Sequence, residues 1–183
     1  MSILNFLGLG KSETPDTGPE TDSVRKIVAQ LDEMDPDRAR FTAAFAYILS
    51  RVAYADREIC SDESSGMERM LIEHAGLDER QAIVVVQMAK TQNLLFGGTE
   101  NFVVTREFNR LANLSQKRAL LRSLFAISAA DHDVSTVEDQ TIKQISAELQ
   151  LDRAEFIAAR QEFRDYLSVL RPGPREGDDV TRE

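Results

Sequence analysis

Two stretches of the sequence carry the same acidic pattern. The first is AYADREICSDESSGMERML, residues 53–71, and the second is SAADHDVSTVEDQTIKQI, residues 128–145. Each stretch follows an apolar segment with three- and four-residue spacing and leads into another, which is typical of amphipathic helices. A chain that repeats this pattern is constrained to form a helix, an acidic turn and a second helix twice over.

Helical spacing continues through the rest of the chain, without strand-like alternation. Asp35 followed by Pro36 is a helix start signal, and Gly76 is a natural helix end. We predict an all-α, compact bundle of about seven to eight helices, built from two pseudo-symmetric helical repeats. The predicted helices begin near Asp22, at Pro36, near Asp62, at Asp78, after Thr99, at Ser115, at Ser135 and at Asp152, and the last one runs to Leu170.

Polar segments bound the predicted domain on both sides. KSETPDTGPET, residues 11–21, has two Pro and one Gly, and RPGPREGDDVTRE, residues 171–183, is similar. Such composition is typical of flexible linkers. We therefore predict a flexible segment over 1–21, a helical domain over 22–170 and a disordered tail over 171–183.

Charge and composition disfavour several classes of function. The net charge of −9 over 183 residues disfavours binding to nucleic acid. No apolar run approaches the roughly 18 residues that a membrane-spanning helix needs. Cys60 is the one cysteine, so it has no internal disulfide partner, which fits a reducing cytoplasm.

The spacing of the acids suggests a metal site. Asp56 and Glu63 are seven residues apart, as are Asp131 and Glu138. In each pair the Asp follows one helix and the Glu opens the next, so a tight corner would point both carboxylates into one space. Hard divalent cations such as Ca²⁺ prefer such oxygen clusters. Further acids in the same turns, which could act as auxiliary ligands, are Glu58 and Asp133.

Helix capping is the alternative explanation for the same acids. Ser135 and Glu138 have the spacing of a capping box, in which the Glu bonds back to the helix start. Cys60 stands where the second copy has Ser135, so capping explains Glu63 less well. Asp56 and Asp131 would then only accept hydrogen bonds from turn amides.

Other chemistry finds little support in the sequence. An EF-hand is excluded, because the loops that start at Asp56 and Asp131 lack its Gly and its final bidentate Glu. His74 and His132 are the only histidines, and no phosphate loop or serine nucleophile motif occurs. Since no base, nucleophile or substrate pocket is evident, we predict that the chain is not an enzyme, and we disfavour a metal-dependent hydrolase.

The phrases "AYAD…E" and "SAAD…E", each ahead of an apolar helix, resemble the TerB-like family over roughly residues 40–163. This family includes the tellurite-resistance protein TerB and the N-terminal domain of the co-chaperone DjlA. Its members usually have Gly where this chain has Arg57 and His132.

The resemblance implies a specific site and role. Asp56 with Glu63 matches one acidic half-site, and Asp131 with Glu138 matches the other, together holding a divalent cation (Ca²⁺ or Mg²⁺). It also implies a non-enzymatic bacterial stress-response module with protein partners, cytoplasmic or peripheral at the inner membrane. The sequence has no His-Pro-Asp, so no J-domain is attached. A metal-free helical interaction module, in which the acids only cap helices, remains the alternative.

Overall fold

The computed structural model describes residues 27, 29–55, 60–96 and 101–170. Helical residues 29–32 come first, and seven further α-helices follow. They are α1 (Pro36–Ala53), α2 (Ser61–Ala75), α3 (Glu79–Phe96), α4 (Asn101–Leu111), α5 (Leu114–Ser128), α6 (Thr136–Glu148) and α7 (Arg153–Glu162). Two 3₁₀ turns, Arg164–Tyr166 and Ser168–Leu170, end the described chain. The all-α prediction is confirmed.

Helix α1 is the centre of the bundle. Every residue from Phe41 to Ala53 is buried, and the helix packs against α2, α3, α4, α5 and α6. Ala43, Ala44 and Ala46 keep its surface narrow, so that neighbouring helices approach it closely on several sides. A helix that is apolar around most of its circumference is stable only when it is enclosed in this way.

Two aromatic clusters fill the core on either side of α1. Phe41 and Phe45 of α1 pack against Phe108 of α4, with ring centroids 5.2 and 6.2 Å from that of Phe108. Phe125 of α5 contacts Phe156 at 5.9 Å and Phe163 at 5.8 Å. These spacings suit attractive ring contacts, and the second cluster attaches α7 to the rest of the bundle.

Most of the helices begin at the capping residue that the sequence indicates. The Asp35 side chain accepts hydrogen bonds from the amides of Asp37 and Arg38, with Pro36 in the first turn. Capping boxes open α2, α5, α6 and α7, and Asp78 with Gln81 makes the same reciprocal pair of bonds ahead of α3. One predicted start was wrong: α5 begins at Leu114 rather than Ser115, because Asn113 and Gln116 form its box.

One predicted helix end is confirmed and another was wrong. Gly76 ends α2 with a left-handed φ of 66°, as its position predicted, and Arg38 donates to the carbonyl oxygens of Ala75 and Gly76. The last helix was predicted to reach Leu170, but α7 ends at Glu162. The backbone turns there, and Leu167 is buried at 1% exposure instead of continuing along a helix.

The two pseudo-symmetric repeats stay a prediction. Among the described residues, the three helices α1–α3 precede α4 and the three helices α5–α7 follow it. A twofold symmetry between the copies stays a prediction. The predicted segment and tail over 1–21 and 171–183, the helix start near Asp22 and Thr99, after which a helix was predicted to start, lie outside the described residues. In the parts of the chain that are described, no helix is long and apolar enough to cross a membrane.

A buried ion pair joins three helices at the end of α1. Arg51 donates to Glu148 of α6 at 2.7 and 3.2 Å and to the hydroxyl of Thr105 of α4 at 2.8 Å. The Arg51 side chain is 4% exposed and that of Glu148 is 15% exposed. Burial raises the pKa of Glu148, but the hydrogen bonds and charge of Arg51, with Thr105 and Gln144, outweigh it and hold the pKa below its usual 4.5.

We predict that Glu148→Gln lowers the free energy of unfolding by about 2 kcal/mol at pH 7, because the Arg51 guanidinium stays buried without its countercharge. A lowered folded-state pKa stabilises the protein above the unfolded pKa, and that stability is lost as pH falls through the folded pKa. The difference between wild type and variant should therefore shrink below about pH 4. Urea denaturation followed by circular dichroism measures both effects.

Glu162→Gln is the matched control. Glu162 pairs with Arg122 at 3.0 Å, but both side chains are exposed, so we expect a change below about 0.5 kcal/mol. Equal losses in the two variants, or a Glu148→Gln loss that persists at low pH, would contradict the assigned role of this pair.

Candidate functional site

The second acidic corner joins α5 to α6. Asp131 is exposed, and its Oδ1 accepts the backbone N–H of Asp133 at 3.0 Å, which closes a short turn. His132, between them, has a left-handed φ of 70°. Its exposed ring stacks on Tyr166 with centroids 6.1 Å apart. The corner therefore requires the backbone conformation that Gly adopts most easily, at the position where the TerB-like family usually has Gly.

Glu138 opens α6 from a buried position. It is 5% exposed, and its Oε2 accepts the Ser135 N–H at 2.8 Å. The Ser135 hydroxyl in turn accepts the Glu138 N–H at 3.2 Å. The capping box that the Ser135–Glu138 spacing predicted is thus confirmed.

The first corner shows the same box at the start of α2. Glu63 is 6% exposed and accepts the Cys60 N–H at 2.7 Å, while the Cys60 sulfur accepts the Glu63 N–H at 3.3 Å. The interpretation that capping explains Glu63 less well was wrong, because a thiol sulfur replaces the hydroxyl at a slightly longer distance. Asp56 and Glu58 lie outside the described residues.

The Cys60 thiol is held in this cap rather than activated. Burial is the largest cause of its raised pKa, and the Glu63 carboxylate adds to it, while the Glu63 and Asp62 amides oppose it. A thiol with a raised pKa is a poor nucleophile at neutral pH.

The start of α2 packs against α5. Gly66, one turn after Glu63, lies so close to α5 that a Cβ there would sit 3.4 Å from Cγ1 of Ile127. Ile127 in turn precedes Asp131 by one turn. The start of α2 therefore lies beside the end of α5, which is the neighbourhood that a shared site would need.

The four-carboxylate metal site stays a prediction. Among the described residues, no group of three or more His, Cys, Asp or Glu side chains could hold a metal ion. Asp131 forms its turn, while Glu63 and Glu138 each bond to a helix start, so a cation would have to share these carboxylates with the caps. Asp133 lies in the same turn as Asp131 and is half-buried.

A C-terminal strap, residues 164–170, holds the second corner in place, and the sequence reading missed it. The Val134 N–H donates to the Tyr166 carbonyl at 2.8 Å, and both the amide and the hydroxyl of Ser168 donate to the Val134 carbonyl, at 3.1 and 2.9 Å. Val134 and Leu167 form an isolated parallel bridge. No local pattern signals such a contact, because its two halves are about thirty residues apart in the chain.

Two pairs of arginines at one-turn spacing, Arg106 with Arg110 and Arg118 with Arg122, make contacts within the fold. Arg118 pairs with Glu155 at 2.7 Å and Arg122 with Glu162 at 3.0 Å, which joins α5 to α7. Arg110 pairs with Glu107 at 2.9 Å. Arg106 lies over the ring of Phe102 at 5.9 Å. These contacts agree with a solvated, salt-bridged surface rather than a phosphate site.

Comparison with known proteins assigns the family. A family model described as "Tellurite resistance protein TerB" matches residues 42–161, more than half of the chain. The chain belongs to the TerB family. The TerB match runs from α1 into α7, contains both corners, and confirms the resemblance expected over residues 40–163. Among curated proteins and among solved structures, no match was found.

We predict that His132→Gly is more stable than His132→Ala by about 1 kcal/mol, because a Cβ is disfavoured at this positive φ. Comparing the two variants cancels the lost contact with Tyr166, which both remove. Chemical denaturation measures the difference.

Gln140 provides the matched control position. It is exposed in α6 with ordinary helical geometry, so there the order should reverse, with Ala more stable than Gly by about 1 kcal/mol. Equal stabilities of the two His132 variants would show that the turn relaxes to another conformation.

Proposed function

We propose that this TerB family chain is a non-enzymatic module of the tellurite-resistance and stress-response type, which acts by docking on protein partners. The observation that carries the proposal is the family match over residues 42–161. The described surface adds support, since Leu94, Leu95 and Phe102 are each more than 60% exposed around the end of α3 and the start of α4. Exposed large apolar side chains of this kind are common in interaction surfaces.

We place the module in the cytoplasm, with partners that include complexes at the inner membrane. The site chemistry fits docking better than turnover. Glu63 and Glu138 are used in capping boxes, and the Cys60 thiol is a cap acceptor with a raised pKa. These are roles in holding the fold, and none of them positions a reacting group.

A docking module should bind its partners only when it is folded. We predict that the full chain, cross-linked in cells and purified by affinity, recovers a reproducible set of proteins, including membrane-associated ones. Mass spectrometry identifies them, with and without tellurite in the medium. Phe45→Asp is the control bait, because a charge at a 1%-exposed core position should unfold the bundle. Recovery of the same proteins by both baits would refute docking by the folded module.

A second part of the proposal concerns a divalent cation. Asp56, Glu63, Asp131 and Glu138 are the proposed ligands for Ca²⁺ or Mg²⁺, with Glu58 and Asp133 as auxiliary ligands. The close approach of Gly66 to Ile127 supports it, because it puts the start of α2 beside the end of α5. A carboxylate has about four lone-pair sites, so a cap bond does not by itself exclude a cation.

The metal-free module is the competing candidate, and the two capping boxes favour it. In that case Glu63 and Glu138 are buried in order to satisfy the amides of Cys60 and Ser135, which would otherwise have no helical partner. The two candidates differ in one measurable respect, the response of the protein to added cation.

We predict that Ca²⁺, Mg²⁺ or Mn²⁺ releases or absorbs heat on binding to the wild type, and that Asp56→Asn/Asp131→Asn abolishes this heat in calorimetric titration. Bound cation should also raise the melting temperature, since saturation at about 100 times Kd adds about 2.7 kcal/mol of stability. Glu138→Gln should lose part of that gain, although Gln still caps the helix.

Glu155→Gln is the matched control for this experiment. Glu155 has the same capping-box position in α7 but lies in neither acidic corner, so its cation response should equal that of the wild type. Identical heats from wild type and the Asp56/Asp131 variant would leave the metal-free module as the function.

A further inference from the structure

A basic groove runs along the outer side of α7. A cavity of about 600 Å³ lies between α6 and α7, and a second cavity of about 280 Å³ lies between α7 and the strap. Ile157 and Arg160 line both cavities. The two cavities therefore adjoin at these two side chains, and together they make up the α7 groove.

The charge of the α7 groove is opposite to that of the whole chain. Among the described residues, Lys143, Arg153, Arg160 and Arg164 line it, and Asp139 is the one carboxylate in the lining. Arg160 holds Asp139 through two hydrogen bonds of 2.8 Å, which neutralises both groups. The groove is thus a positive strip on a protein of net charge −9.

Three of these cations have no carboxylate partner within the described part of the chain. Lys143, Arg153 and Arg164 are exposed, and no salt bridge of the described residues includes them. Two acids of α7 are engaged elsewhere: Glu155 pairs with Arg118 and Glu162 with Arg122, in contacts with α5. Lys143, Arg153 and Arg164 all line the groove between α6, α7 and the strap.

The floor of the α7 groove is apolar. Phe156 is half-buried there, Ile157 is 46% exposed and Leu170 is 52% exposed. A concave apolar floor with a cationic rim accepts side chains that insert between the charges. A flat layer of lipid headgroups would meet the rim and leave the floor uncovered, and a nucleic acid would gain little from an apolar floor.

We propose that the α7 groove binds an acidic segment of a partner protein, with apolar side chains seated on Phe156 and Ile157 and with carboxylates facing Lys143, Arg153 and Arg164. Complementary charge would draw such a segment to the groove from solution and fix its orientation, while the apolar floor supplies contact area. The proposal rests on the docking function proposed above, to which it adds the position and the chemistry of one docking surface, separate from the exposed Leu94, Leu95 and Phe102.

A random peptide library displayed on phage, selected on the immobilised full chain, tests the chemistry of the partner. We expect the enriched peptides to combine Asp or Glu with Leu, Ile or Phe. Synthetic copies with a fluorescent label then give dissociation constants by anisotropy. Affinity should fall with added salt, because the screening length shrinks from about 10 Å at 0.1 M to about 3 Å at 1 M. Enriched peptides that are basic or uncharged would overturn the proposal.

Charge-reversal variants test the position of the surface. Lys143→Glu/Arg153→Glu should weaken the selected peptides at least about tenfold. Arg69→Glu/Arg80→Glu is the control, since Arg69 and Arg80 are exposed on α2 and α3 and the change in net charge is the same. It should weaken binding by less than about twofold. Equal effects in the two variants would show that binding depends on the net charge of the protein and not on the groove, which would overturn the proposal.

A matched pair of apolar variants tests the floor. Ile157→Ser should weaken binding about fivefold, whereas Ile83→Ser, at a similarly exposed isoleucine of α3 (41%), should not. Thermal denaturation confirms that each variant is folded. Peptide binding that survives both Ile157→Ser and the charge reversal would place the docking surface elsewhere.

Two other occupants are separate outcomes of the same variants. Binding to phosphatidylserine vesicles that Lys143→Glu/Arg153→Glu removes, without enriched acidic peptides, would assign the groove to a membrane and overturn the proposal. Self-association in sedimentation velocity that the same variant removes would assign it to a second copy. If cross-linked partners are recovered from cells but are insensitive to the groove variants, docking stands and only the α7 groove fails.

Discussion

Enclosure of α1 is the constraint on which the rest of the fold depends. This helix has no side that could face water over Phe41–Ala53, so the other helices must surround it before it is stable. Arg51 is the one charged residue in this buried stretch of α1. Its pairing with Glu148 and Thr105 fixes the position of the end of α6 against α1 and α4. The arrangement of the other helices follows from the need to cover α1.

The acidic corners show how one residue type can satisfy two different demands. A Glu at the third position of a helix completes a capping box, and the same Glu beside a turn aspartate resembles half of a cation site. Spacing alone does not separate these roles, because both place the carboxylate at a helix start. The burial of Glu63 and Glu138 at the caps means that any cation at the corners would have to compete with, or add to, backbone hydrogen bonds that already stabilise α2 and α6.

Local chemistry made much of the fold predictable from the sequence. Asp35 with Pro36, Gly76, and the box of Ser135 with Glu138 act through residues three or four positions apart, so the sequence displays them directly. The cap at Cys60 was not predicted, because sulfur is in general a weak hydrogen-bond acceptor. The pair of Arg51 with Glu148, the early end of α7 and the α7 groove were not predictable, since each depends on residues that only the folded chain brings together.

The strap connects the α7 groove to the second acidic corner. Leu167 lines the α7 groove and also bridges to Val134, two residues after His132 in the acidic corner. A ligand that tightens the strap from the groove side would restrict the corner, and a ligand at the corner would restrict the strap. Thermodynamic linkage makes such an influence equal in both directions. One short backbone bridge thus makes this end of the bundle a place where two binding events could communicate.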